Sequence, residues 1–152
     1  MSLNRLQKCV EKGISIIIGT VDADGVPSTC RAIALNTRDN FDSVTVYVPA
    51  ATSQETLANV ATTRRVAVVC TAPLSHESVQ IKGVTRGVRL APATDQAFVA
   101  DRLEGFADVL QEIGLPRRVT RSMAHWPAFA IDVSVEEVFE QTPGPKAGTP
   151  LA

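Results

Sequence analysis

The chain has 152 residues, 45% hydrophobic and 20% charged, enough for one domain with a real core and unlike a disordered polymer. Fifteen Lys and Arg face sixteen Asp and Glu, a formal net charge of −1 that excludes a general attraction to nucleic acid or anionic membrane. No apolar run approaches the roughly 20 residues of a membrane helix, and residues 1–6 lack a signal-peptide pattern, so a cytoplasmic protein is expected.

Leu3, Leu6 and Val10 recur at helical spacing before Gly13, which predicts a short leading helix over 2–12. Residues 14–21 read as a strand that is apolar on both faces. Asp22-Ala23-Asp24-Gly25 is a turn, and 28–36 returns as a second strand with Thr29, Arg31, Ile33 and Leu35 on one side. A third strand covers 44–48. The period then changes: Thr52-Ser53-Gln54-Glu55 matches a capping box, and Leu57, Val60 and Ala61 form a helical stripe.

A fourth strand is expected over 66–71 and a long fifth over 78–90, whose phase flips at Gly83 as at a β-bulge. Residues 92–113 return to helical spacing through Phe98, Val99, Leu103 and Phe106, ended by Gly114 and Pro116. A sixth strand is expected over 129–135. The Pro- and Gly-rich tail 141–152 is expected to be extended, with no helix or sheet of its own. The expected architecture is mainly β (α+β): one domain over 1–140, a six-stranded antiparallel Greek-key barrel with flanking helices.

Known catalytic motifs are absent: no G-x-S-x-G, Walker loop, G-x-G-x-x-G or H-E-x-x-H. Cys9, Cys30 and Cys70 are too scattered for a disulfide framework or zinc site, and two histidines exclude a three-histidine metal centre. The helix start at Thr52 is the better candidate, because free N–H groups and the macrodipole suit a phosphate, with Ser53 and Gln54 as further donors. Thr52 as a plain cap is the alternative. Arg31, among Cys30, Ala32, Ile33 and Ala34, is costly unless paired or turned to an anion, and its planar fork suits phosphate; an arginine on the outer barrel wall is the other reading.

The segment from Ile18 through Asp24-Gly25-Val26-Pro27, followed by Arg31-Ala32-Ile33, resembles the opening hairpin of the pyridoxamine 5′-phosphate oxidase-like, FMN-binding split-barrel family. The resemblance continues through residues 44–48, Asn59-Val60, Arg65-Val66-Ala67-Val68 and Val79-Gln80-Ile81-Lys82-Gly83, about residues 10 to 90. It implies a split barrel and a homodimer holding FMN at its interface. By position, Arg31 would contact the phosphate or ribityl chain, with Ala32, Ile33, Tyr47 and Val48 along the isoalloxazine. Thr52, Ser53 and Gln54 would hold the phosphate, and Ser78 or Gln80 would reach across. Asn36 stands where true pyridoxamine phosphate oxidases carry a lysine, and their basic C-terminal segment is missing, so that reaction itself is not expected. The expected function is flavin-dependent oxidoreduction of a small, unidentified substrate. The alternatives are a non-catalytic module for a flavin or a haem, with His125 as an axial ligand, a deazaflavin in place of FMN, or no cofactor at all.

Overall fold

In a computed structural model of the protein, residues 3–151 are described. Seven strands, not six, form one antiparallel sheet in the order β2-β1-β5-β6-β7-β4-β3: β1 (Ser15–Val21), β2 (Pro27–Ala32), β3 (Ala34–Arg38), β4 (Ser43–Pro49), β5 (Arg65–Thr71), β6 (Ser78–Leu90) and β7 (Ala128–Glu140). The sheet curls around one core to which both of its ends contribute: Ile16 and Ile18 of β1, Leu35 of β3, Val44, Val46 and Val48 of β4, Val68, Ile81 and Val133.

The extra strand arises because the expected single strand over 28–36 breaks at Ile33. Its first half pairs with β1 (Arg31 opposite Ile17) and its second with β4 (Ala34 opposite Tyr47). At the break Ile33 N–H donates to Tyr47 O at 2.9 Å. The alternation breaks there too: Cys30 and Ala32 face the core, Arg31 faces out, and then Leu35 faces in. Arg31 and Leu35, expected on one side, lie on opposite faces.

The β1–β2 turn closes as an Asx turn. Asp22 Oδ1 accepts from the N–H groups of Asp24 and Val26, each at 2.9 Å, and Gly25 adopts φ +82. The β3–β4 turn is less comfortable: Asp39, Asn40 and Phe41 have φ of 56, 53 and 70. Left-handed backbone costs non-glycine residues roughly 1–2 kcal/mol each, and burial of Phe41 holds the turn in place.

The irregularity expected at Gly83 is a register shift at Lys82/Gly83, but the residue left over there is Glu136 of β7. β6 changes phase three residues later, where a second shift at Thr85/Gly87 leaves Arg86 unpaired. Gly83 is needed for another reason: a Cβ there would stand 1.9 Å from Ser134 O.

The leading helix is α1 (Leu3–Gln7), continued by a 3₁₀ turn over Lys8–Val10; residue 2 of the expected span lies outside the described residues. α2 (Gln54–Thr62) packs beside β1, β2 and β5, with Leu57 and Val60 against the barrel core. α3 (Gln96–Glu112) lies on the outer face, where Val99 and Leu103 cover Ile33, Ala34, Tyr47 and Ala130. α4 (Arg117–Arg121), a five-residue helix without a periodic stripe, was not expected. The tail is not extended. It doubles back so that Pro150 bridges Phe139, Gly148 N–H donates to Glu140 O at 2.7 Å and Leu151 N–H to Val138 O at 2.8 Å.

Candidate functional site at the barrel seam

β2 stands at one end of the sheet and, among the described residues, pairs only with β1, so one of its backbone edges has no strand partner there. The start of α2 lies beside it, with Cys30 Sγ 3.5 Å from Thr52 O and 3.9 Å from Thr52 Oγ1. The expected capping box does not form. Thr52 N–H is spent in a turn to Pro49 O at 3.2 Å, which moves the N-cap to Ser53, and no side chain caps the helix. Ser53 is 0% exposed and its Oγ has no hydrogen-bond partner, whereas Thr52 and Gln54 are open to solvent. The first-turn N–H groups of α2 therefore lack any side-chain acceptor, beside a free strand edge.

A polar triad holds α2 in this place. Asn59 Nδ2 donates to Thr20 Oγ1 and Ser28 Oγ, both at 3.1 Å, and Thr63 Oγ1 donates to Val21 O at 2.9 Å. Sequence reading passed over Asn59 as a site-positioning residue. Its signal was a buried amide in an otherwise apolar or small-residue stripe.

Arg31 is exposed on the outer face. Its Nη1 donates to Ser15 Oγ at 3.0 Å, and the guanidinium lies 5.6 Å from the Phe106 ring centroid of α3. It forms no ion pair among the described residues. Because strand side chains alternate, Arg31 and the Cys30 that touches Thr52 lie on opposite sides of β2. In the single chain the Arg31 side chain is therefore not directed at the helix start; only the backbone of β2 approaches it. Register does align Arg31 with Ile17, Val69 and Gln80 across four strands. Gln80 Oε1 accepts from Gln141 Nε2 at 3.4 Å. Ser78 Oγ is engaged by Thr71 Oγ1 and His76 O, each at 2.9 Å, and its N–H donates to Thr142 Oγ1.

Ala32 and Val48 are buried in the barrel, and Ile33 and Tyr47 lie under α3. These four offer a ligand no side chain. Tyr47 donates its hydroxyl to Asp95 Oδ2 at 2.9 Å, and burial together with that carboxylate pushes its pKa up to about 12. His125 is half-buried, with Nδ1 3.0 Å from Met123 O. The outer face also bears a groove of about 360 Å³ floored by Gly19 and Ala67, with Thr29, Arg65 and Lys82 on its sides. Arg65 and Lys82 are cations the sequence reading did not single out. Among the described residues no cluster of His, Cys, Asp and Glu could hold a metal ion, and no helix is long and apolar enough to cross a membrane.

Sheet order, seam and helix placement define an open, curled antiparallel half-barrel, a fold shared with several solved proteins. One is HupZ from Group A Streptococcus, with a TM-score of 0.56 at 15% identity, covering 95% of this chain and 98% of that one. A second is a protein from Clostridium acetobutylicum related to general stress protein 26, of the pyridoxinephosphate oxidase family (TM-score 0.53, 12% identity, 90% and 85% covered). A third is an FMN-binding protein from Syntrophomonas wolfei (TM-score 0.52, 12% identity, 99% and 91% covered). No protein-family model and no curated protein matches the sequence.

Proposed function

We propose that the chain binds FMN at the seam, in a homodimer, and serves as a flavin-dependent oxidoreductase for a small substrate. The observation that carries this reading is the Cys30–Thr52 contact, which sets the free edge of β2 against the uncapped start of α2. An unpaired strand edge offers N–H and C=O groups to a planar heterocycle, and an uncapped helix start offers N–H groups and a positive dipole end to a phosphate. The residues present fit the group in that sense. Backbone at Arg31–Ile33 would line the ring, Thr52 and Gln54 would meet the phosphate, and Arg31 and Gln80 would serve the interface side. The flavin supplies the redox chemistry when bound; the chain binds and orients it and excludes water from one of its faces.

The test is titration of the purified chain with FMN and with riboflavin, read by quenching of flavin fluorescence, beside the absorption spectrum of the protein as isolated. Saturable FMN binding that is much weaker for riboflavin is expected, with Arg31→Ala costing at least about tenfold for a lost charge-assisted contact. Arg31, turned away from the helix start of its own chain, would reach a phosphate only across the dimer interface. No quenching at micromolar protein, or an unchanged dissociation constant for both Arg31→Ala and Thr52→Ala, would exclude the seam as the flavin site. Mass in solution tests the dimer.

A further inference from the structure

A second recess, of about 530 Å³, opens on the outer face of β3, β4, β7 and the end of β6, on the other flank of the sheet from Arg31. Arg38, Arg86 and Arg89 line it, with Ser43, Thr45 and Asp132. Strand register is what makes them converge. Arg38 stands opposite Ser43 and Ser43 opposite Ser134; Thr45 stands opposite Asp132 and Asp132 opposite Gly87; Arg89 stands opposite Ala130. Arg86 is the unpaired residue of the second bulge, a device that re-aims one side chain out of the alternation of its strand.

The three guanidinia are held differently. Arg89 forms an ion pair with Asp132, whose other oxygen accepts from Thr45 Oγ1 at 2.7 Å. Arg86 Nη2 donates to Ser134 Oγ at 3.0 Å. Arg38 has no ion pair among the described residues. Asp132 is thus committed to Arg89 and Thr45, and the other carboxylate lining the recess is the exposed Asp39. Asp39 opens the left-handed turn that forms the rim. A run of disfavoured backbone pinned by a buried Phe41 next to a bulge that presents an arginine marks a built edge rather than a smooth surface.

We propose that this recess binds a small, multiply charged oxyanion ligand, gripped by Arg38 and Arg86, with the hydroxyl of Ser43 as a neutral donor. Guanidinium forks match the paired oxygens of a phosphoryl or carboxylate group, and a volume of about 530 Å³ suits a small molecule rather than a polymer. The site is separate from the flavin seam and stands whether or not that reading holds.

The experiment is calorimetric titration of the full chain, at constant ionic strength, with pyrophosphate, inorganic phosphate and citrate in turn. One saturable site per chain is expected, and the ranking of probes distinguishes phosphoryl from carboxylate recognition. The double variant R38A/R86A, checked for an unchanged melting transition, should bind the best probe at least about tenfold more weakly. Arg31→Ala should leave it unchanged. Absence of saturable binding for all three probes overturns the proposal, as does equal affinity in a folded R38A/R86A. Loss of FMN quenching in that double variant would merge the recess with the flavin site and overturn it as a separate one.

Discussion

Replacing Gly83 by alanine tests the close approach of β6 and β7. The added Cβ would lie 1.9 Å from Ser134 O, 3.0 Å from that residue's carbonyl carbon and 3.1 Å from Val133 Cγ1. Two of these atoms are backbone, so no side-chain rotation relieves the clash; β6 and β7 must separate by more than an ångström between their two register shifts. Overpacking of this kind costs about 1–3 kcal/mol, and a weakened ladder hydrogen bond adds about 1 kcal/mol. A loss of about 2–4 kcal/mol lowers the melting temperature of a domain this size by roughly 4–16 °C. Gly87→Ala is the control. It lies four residues along the same strand, and nothing stands within 4 Å of its added Cβ. Thermal unfolding followed by circular dichroism compares the two. If Gly83→Ala melts no lower than Gly87→Ala, the close approach of the strands is not a constraint and the reasoning fails.

Asn59→Ala removes its two hydrogen bonds to the β1–β2 hairpin and leaves that of Thr63 to Val21 O, and about 1.5–3 kcal/mol of stability should be lost in denaturant unfolding. Because α2 carries the phosphate end of the seam, the same variant should weaken FMN binding, as read by fluorescence quenching. Tyr47 contributes to stability in its neutral form, since its folded pKa is raised from 10 to about 12. That contribution is complete below pH 10 and is lost as pH rises from 10 to 12. Its ceiling is about 2.7 kcal/mol for two units, and less after allowance for solvent around the half-buried Asp95. Tyr47→Phe loses the hydrogen bond to Asp95, so it should be less stable than the parent at neutral pH, and it should lack this alkaline loss, as read from chemical denaturation at pH 8, 10 and 11.5.

Much of the fold was legible because β-branched residues and turn chemistry coincided. Ile16-Ile17-Ile18 before Asp22–Gly25 gave β1 and its hairpin, and β6 was read with its observed bounds, Ser78–Leu90. The division at Ile33 was not legible, because Ala32, Ile33, Ala34 and Leu35 are all apolar. Alternation cannot show which face each takes when one half lies against the barrel core and the next lies under α3. The bulge was placed at Gly83, the first of two glycines in that stretch, while the phase change at Arg86, beside Gly87, depends on which strand holds the spare residue. α2 was found by its period, yet its first residue depended on Thr52 N–H turning back to Pro49, a local competition that residue types alone leave open.

At Ile33 a single residue belongs to neither end of the sheet, yet it joins both. The barrel is therefore closed by covalent chain rather than by a complete ladder. A curled sheet fastened this way resembles a clasp whose pin is Ile33, held to β4 by its N–H bond to Tyr47 O and covered by Val99 and Leu103 of α3. The interior of valines and isoleucines is thus wrapped by a sheet whose two ends meet at one residue, three positions along the chain from the Cys30 that touches Thr52 at the helix start.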